Sequence, residues 1–280
     1  MAEEFSILNF QFSMNDLISK FSKTKLFLLE LLFPKFCLGC QKEGFYLCED
    51  CRATLEISED NYCLCSRNHK SLAPNSKLGK CNRCSDKKLS GLYFALPFKD
   101  PSAGSGQETY LTKKLVHQFK YGPYTKNLAK TLASLIIEHL VITQKNTDEI
   151  WNNGVLVPVP LDKKKLKIRN YNQSEELAKE LSKVLQIPVV SDILIKTKTT
   201  KPQMELSKEQ REKNLLGAFA ISSPSLRGAE AAKQSLDFRG KKIFLVDDVY
   251  TTGSTMEECA RVLRTAGAKS VWGITVAREE

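Results

Sequence analysis

Apolar residues along this chain follow two rhythms, and their alternation predicts buried strands covered by helices. The unbroken apolar run Ile243–Val246 suits a parallel strand buried on both faces, Gly154–Pro160 reads as a buried strand ending in prolines, and Leu92–Phe98 as a strand. Between the first two, Leu111, Leu115, Val116 and Phe119 recur at helical spacing, as do Leu128, Leu132, Leu135, Ile136 and His139 within Asn127–Leu140. Met256, Cys259, Ala260, Leu263 and Ala266 mark another helix, Gly267 its stop, and Ser270–Ala277 a following strand. The last elements therefore form a βαβ unit. Near the N-terminus, Leu17, Phe21, Leu26, Leu29 and Leu32 predict a further helix. Its apolar stretch, Lys25–Phe33, carries Glu30 and is about half the length that spans a bilayer, so no membrane span is expected. Glu3 and Glu4 replace the basic start of a secretory signal, which predicts a cytoplasmic protein.

The polar residues that interrupt the βαβ unit carry its chemistry. Asp247 and Asp248 follow the apolar run, and Thr251, Thr252, Gly253, Ser254 and Thr255 lead into the helix. Amides at a helix N-terminus and nearby hydroxyls aim donors at one anion, so this turn is a candidate phosphate cradle. The two acids would repel phosphate and suit sugar hydroxyls or Mg²⁺ instead. A second charged stretch, Lys163–Arg169, places Lys163, Lys164, Lys165, Lys167 and Arg169 beyond the end of the Gly154–Pro160 strand. Read alone it is a solvated basic loop, yet open α/β sheets bind ligands at that end, and cations there suit a departing pyrophosphate. Other phosphate signatures are missing: there is no Gly-Lys-Ser/Thr, and Gly104-Ser-Gly106 lacks a third glycine.

Of the nine cysteines, eight fall between Cys37 and Cys84, a clustering that argues for zinc in a reducing compartment. Cys37, Cys40, Cys48 and Cys51 form two C-x₂-C pairs, each short loop able to turn both thiolates to one ion. The second group, Cys63, Cys65, Cys81 and Cys84, has one standard pair and one with a residue fewer between its cysteines, and His69 is an alternative ligand. One or two structural, closed zinc sites are expected. Cys259, on the apolar face of its helix, reads as core.

The 280 residues, 42% of them hydrophobic, suffice for a real core, and the net charge of +10 favours anionic partners. Composition divides the chain into an N-terminal helical segment at 1–35, a cysteine-rich zinc-binding module at 36–90 and a main domain at 91–280. Polar and small residues predict loops at Ser66–Lys80 and 222–236 and a hairpin or loop at Ser102–Glu108.

The string Val246-Asp-Asp-Val-Tyr-Thr-Thr-Gly-Ser-Thr255 resembles the phosphoribosyl pyrophosphate (PRPP) loop of type I phosphoribosyltransferases. With Val157-Pro-Val-Pro-Leu161, Arg169-Asn-Tyr-Asn-Gln-Ser174, the Gln203…Arg211…Asn214…Phe219 stretch and the cysteine module, the chain resembles the ComF family of bacterial phosphoribosyltransferase-like proteins from about Leu32 to Arg278. The resemblance implies a type I phosphoribosyltransferase fold, a mostly parallel α/β sheet flanked by helices, preceded by the zinc module. It implies that Asp247 and Asp248 hold the ribose or its Mg²⁺, that Thr251, Thr252, Gly253, Ser254 and Thr255 hold the 5′-phosphate, and that Lys163, Lys164, Lys165 and Arg169 face the pyrophosphate. By the same resemblance Gln203, Arg211 and Asn214 would belong to a flap over the site or to the domain edge. Two departures stand out: Asn170 replaces the family's glycine but tolerates positive φ, and Cys63 and Cys65 are unusually close. Two functions are compatible with these features. One is Mg²⁺-dependent phosphoribosyl transfer from PRPP to an unknown acceptor; the other is a non-catalytic protein that binds single-stranded DNA or DNA-uptake proteins, the link to competence that the resemblance implies.

Overall fold

In the computed structural model, which describes residues 34–59, 63, 64, 81, 84–98, 107–122, 125–145, 147–198, 215–222 and 238–279, the long apolar runs become one parallel sheet. The elements in chain order are α1 (Glu49–Ala53), β1 (Gly91–Phe98), α2 (Gln107–Tyr121), α3 (Leu128–Ile142), α4 (Asp148–Trp151), β2 (Gly154–Pro158), α5 (Lys163–Arg169), α6 (Gln173–Leu185), β3 (Leu194–Lys196), β4 (Phe219–Ile221), β5 (Lys242–Tyr250), α7 (Ser254–Thr265) and β6 (Ser270–Glu279). The sheet order is β1-β6-β5-β2, with every neighbouring pair parallel. β3 and β4 form a separate antiparallel pair. An α/β fold with a mostly parallel sheet flanked by helices is therefore what the chain adopts.

Local sequence explains the elements. Val155, Leu156 and Val157 of β2 and Ile243, Phe244, Leu245 and Val246 of β5 are buried, as strands covered on both faces must be. α3 buries the stripe Leu128, Leu132, Leu135, Ile136, His139 and Leu140 and packs on α6, β1 and β6. α7 buries Met256, Cys259, Ala260 and Leu263, and Gly267, at φ +104°, lies just past its end. One core runs under α7, joining those four residues to Leu92, Phe94, Val155, Val157, Ile243, Leu245 and Val271 of the sheet. Cys259 is thus core, as its spacing predicted.

Two boundaries differ from expectation. β5 does not stop before the acids but continues through Asp247, Asp248 and Val249 to Tyr250, because β6 pairs with it as far as Tyr250↔Arg278. The basic run is not a loop. Lys163–Arg169 is helical, started by Asp162, whose carboxylate accepts from the Lys164 amide at 2.9 Å, and ended by Asn170 at φ +60°. The left-handed residue expected at Asn170 is therefore present.

The chain divides into two compact units, Met1–Ala53 and Thr54–Glu280. Within the second, Ser58 donates its amide to Ala95 O of β1 and accepts from the buried His139 ring at 2.6 Å, which holds the segment after Ala53 against the sheet. Cys63, Leu64, Cys84 and Leu89 join the core under α7, so the second cysteine group packs within the larger unit. No helix among the described residues is long and apolar enough to cross a membrane. The predicted N-terminal helix up to Phe33, Cys65, His69, the Ser66–Lys80 loop, residues 102–106, the segment holding Gln203, Arg211 and Asn214, and 223–236 lie outside the described residues.

Candidate functional site

At the carboxyl end of β5, a central strand, the two acids diverge to different partners. Asp247 accepts from Ser174 Oγ at 3.0 Å and from the Asp248 amide at 2.9 Å. Asp248, buried, pairs with Lys120 Nζ from the last turn of α2 at 3.1 Å. The local fold builds both contacts. Asn172 caps α6, accepting from the Ser174 amide at 3.2 Å and donating to Val159 O at 3.1 Å, which places Ser174 beside Asp247. Tyr171 Oη donates to Phe119 O, fixing the last turn of α2 from which Lys120 extends.

The electrostatics of this corner are unusual for exposed chemistry. Burial and then the Asp248 carboxylate push Asp247 up to about 7, outweighing its amide bond, Lys120 and Ser174. Burial lowers the proton affinity of Lys120, but the Asp248 and Asp247 carboxylates more than reverse it, so the ammonium is held. Lys196, at the end of β3, is lowered by burial and by Lys165, although Asp162 and Asp247 act in the other sense. Two further oxygens, Gln173 Oε1 and Thr275 Oγ1, are buried with no hydrogen-bond partner among the described residues, and Thr275 lies opposite Asp247 on β6. Two carboxylates form a hard-oxygen donor set that fits Mg²⁺ and ribose hydroxyls, and a cation or hydroxyl reaching Asp248 must share or displace the Lys120 ammonium.

A raised carboxyl pKa has a signed consequence for stability. Between the unfolded value near 4 and about 7 the folded chain binds the extra proton, so stability falls as pH rises through that window. Each unit of the rise corresponds to about 1.4 kcal/mol, reduced here because Asp247 keeps some solvent access. Asp247→Asn is therefore expected to unfold at higher denaturant than wild type at pH 8, with the gap closing by pH 4. Urea titrations at the two pH values check this.

The turn at 251–255 follows directly. Gly253, at φ +77°, begins α7 and has no side chain to accept from the first-turn amides. A Cβ there would lie 2.2 Å from Tyr250 Oη, so the position demands glycine on two counts. Thr252 Oγ1 and Ser254 Oγ are 2.9 Å apart, and the Ser254 amide faces Thr252 Oγ1 at 3.4 Å. Thr251 and Thr255 are half-buried on the same turn. Hydroxyls and the amides of a helix N-terminus thus share one turn, a chemistry that suits an anion. Of the predicted cations, Arg169 stacks over Tyr121 at 4.7 Å and acts on Lys120, and Lys165 acts on Lys196. Lys163 and Lys164 are exposed, and no described contact ties them to the acids.

The first cysteine set is built by two turns. Phe36 bridges Glu43, the Cys37 amide donates to Lys42 O and the Gln41 amide to Cys37 O, closing the Cys37–Cys40 loop. Cys48 precedes α1, which carries Cys51. The ligand atoms of Cys37, Cys40, Cys48 and Cys51 lie within 4.8 Å of one another. The Cys48 amide donates to Cys37 Sγ at 3.4 Å and the Cys51 amide to Cys48 Sγ at 3.5 Å. Burial raises the Cys37 thiol, but the Cys48, Cys40 and Gly39 amides outweigh it and bring it to about 6. Burial and the crowded neighbouring thiols push Cys51 up to about 12. Four soft ligands with amides aimed at sulfur fit zinc, which would relieve that crowding. Cys63, Cys81 and Cys84 form the second cluster, with Cys63 and Cys84 sulfurs 3.7 Å apart and the Cys81 amide 3.0 Å from Cys63 Sγ.

Comparison with known proteins accounts for this combination. Residues 172–279 match the family described as phosphoribosyl transferase domain. Competence protein F of Haemophilus influenzae is 29% identical over 233 residues, 82% of this chain and 96% of that protein. The DNA utilization protein YhgH of Escherichia coli is 29% identical over 237 residues, 80% of this chain and 93% of that protein. Competence protein ComFC of Bacillus subtilis is 34% identical over 125 residues, 44% of each. The chain is a homologue of these competence and DNA utilization proteins and carries a phosphoribosyl transferase domain. Sequence reading missed Lys120, which an element distant in sequence brings to Asp248. Ser174 was visible only as part of the Asn-Gln-Ser string; a Ser two residues after an Asn N-cap was its signal.

Proposed function

We propose that this chain is a member of the ComF family that binds PRPP with Mg²⁺ and transfers its phosphoribosyl group to an acceptor. The reading is carried by one juxtaposition: two carboxylates at the end of a buried parallel strand, followed at once by a glycine-started helix turn rich in hydroxyls. Asp247 and Asp248 would hold the ribose hydroxyls, Ser174 orienting the first and Lys120 the second. Thr251, Thr252, Gly253, Ser254 and Thr255 would take the 5′-phosphate, and Lys165, Lys196 and Arg169 would face the pyrophosphate, with Lys163 and Lys164 adding longer-range attraction. Mg²⁺, when bound, supplies charge neutralisation for that pyrophosphate. In the reaction the bond from C1 of the ribose to the pyrophosphate oxygen breaks as the acceptor's nucleophilic atom bonds to C1, its proton passing to solvent. Fixed cations would stabilise the negative charge growing on the leaving pyrophosphate, and the carboxylates held at the ribose would offset the positive charge spreading on the sugar, both without reorganisation. Thiolates kept for zinc suit the reducing cytoplasm.

PRPP affinity is expected to tighten as pH rises through about 7, where Asp247 loses its proton. A pyrophosphate-release screen with PRPP and Mg²⁺ across nucleobases and amines tests turnover: release that depends on one acceptor and vanishes in Asp247→Asn supports transfer, and release with none opposes it.

A second reading, a single-stranded-DNA-binding protein linked to competence, is favoured by α5. Its Lys163, Lys164, Lys165 and Lys167 are exposed beside Leu166 and Ile168, the latter 78% accessible, and the relatives are named for competence and DNA utilization. Neutralising Lys163, Lys164 and Lys165 should reduce the slope of log affinity against log salt by roughly 0.7 for each phosphate that the variant no longer neutralises. Filter binding between low and physiological salt checks it, and no binding at low salt leaves the transfer reading alone.

A further inference from the structure

The second cysteine cluster grips the candidate phosphate turn at both of its ends. Before the turn, Tyr250 Oη donates to the carbonyl of Leu64, the residue after Cys63, at 3.4 Å. The same hydroxyl packs on Gly253, where even a Cβ would lie 2.2 Å from it. After the turn, the Glu257 carboxylate on α7 accepts from the Lys88 amide at 2.5 Å and the Leu89 amide at 3.1 Å. Lys88 and Leu89 continue the chain from Cys84, whose carbonyl accepts from the Lys87 amide. Cys63, Leu64, Cys84, Leu89, Tyr250 and Met256 share one core, and the Arg278 guanidinium, 5.8 Å from the Tyr250 ring centroid, closes over that ring.

We infer that Tyr250 and Glu257 are positioning residues through which the Cys63/Cys81/Cys84 centre sets the shape of the phosphate turn, so that metal there governs binding of a phosphate monoester at residues 251–255. A metal held by the three thiolates fixes Leu64 and the Cys84–Leu89 run relative to each other. These in turn fix the two residues that bracket the turn. With the thiols unligated, both anchors gain freedom, and the turn's donors no longer converge before ligand arrives, which lowers affinity by the cost of ordering them. The ligand part of this inference rests on the proposed PRPP reading; the mechanical part does not.

The experiment uses the full chain with its zinc, measuring amide hydrogen exchange at residues 251–257 and ribose 5-phosphate affinity by calorimetry. The proteins are wild type, Cys63→Ser/Cys84→Ser, Tyr250→Phe and the combination of all three substitutions. The expected result is that the cysteine variant loses zinc, loses roughly tenfold of the protection at 251–257 while β2 keeps its own, and binds ribose 5-phosphate at least about fivefold more weakly. Tyr250→Phe, which keeps the ring and drops the hydroxyl, should lose part of both with full zinc, and the triple variant should be no weaker than the cysteine variant, because the two act on one linkage. Unchanged protection after zinc loss, or losses that simply add, would overturn the inference. Should the cysteine variant not fold, Tyr250→Phe and Glu257→Gln in zinc-loaded protein decide alone, unchanged protection at 251–257 in both counting against it. A wild type that binds no ribose 5-phosphate removes the PRPP reading, and the exchange comparison still decides whether the cluster controls the turn.

Discussion

Replacing Cys37 and Cys40 together by Ser is expected to release the metal of the first cysteine set and unfold residues 34–53, while the unit from Thr54 onward stays folded. Among the described residues of this stretch, the buried apolar groups are Cys37, Leu47 and Cys48, too few to form a core. α1 has five residues, far below the length at which a helix holds itself. Structural zinc in such sites contributes about 10–16 kcal/mol of apparent binding energy, nearly all of it folding energy. The larger unit has an independent source of stability in the parallel sheet and the core under α7, which the two substitutions do not touch. Metal analysis with limited proteolysis reads both halves of the expectation: cleavage should become rapid before Thr54 and remain slow after it. Freshly purified wild type without zinc, or equal protease resistance in the variant, would contradict it.

Replacing Asp247 and Asp248 together by Asn should weaken Mg²⁺-dependent PRPP binding by roughly tenfold or more, about 1.4 kcal/mol per factor of ten. Shape is nearly conserved, so packing is not what changes. The amides still accept from Ser174 and the Asp248 backbone but no longer attract a cation, and Lys120 is left near a neutral partner. Replacing Thr252 and Thr255 by Val removes phosphate donors instead, and should weaken PRPP and ribose 5-phosphate alike. Competition calorimetry with the two ligands, with and without Mg²⁺, separates these signatures; a PRPP affinity in the Asn variant that keeps its wild-type value and Mg²⁺ dependence would assign the acids to the fold and not to the ligand.

The parts of this molecule that could be read from its residues are those fixed by local pattern. Ile243–Val246 announced a buried strand because nothing polar interrupts it, and Gly253 and Gly267 announced turns because each stands where a helix starts or stops. The extension of β5 through two aspartates was not readable, since Asp is a poor strand former and only the pairing of Thr275, Ala277 and Arg278 on β6 imposes it. Lys163–Arg169 looked like a loop because five cations in seven residues suit solvent; Asp162 at one end and left-handed Asn170 at the other make it a helix. Lys120 closes an ordinary amphipathic helix, and nothing near it in sequence reveals that α2 ends on Asp248. The linkage of Tyr250 to Leu64 is likewise a product of tertiary packing, with no periodic signal to betray it.

The most direct test of the central claim is calorimetric titration of PRPP into folded, zinc-loaded wild-type protein in the presence of Mg²⁺. Saturable binding that ribose 5-phosphate competes with and that weakens without Mg²⁺ is the expected result. Absence of binding by either ligand at millimolar concentration would contradict it, leaving Asp247–Thr255 a relic of the fold and the DNA-binding reading in its place.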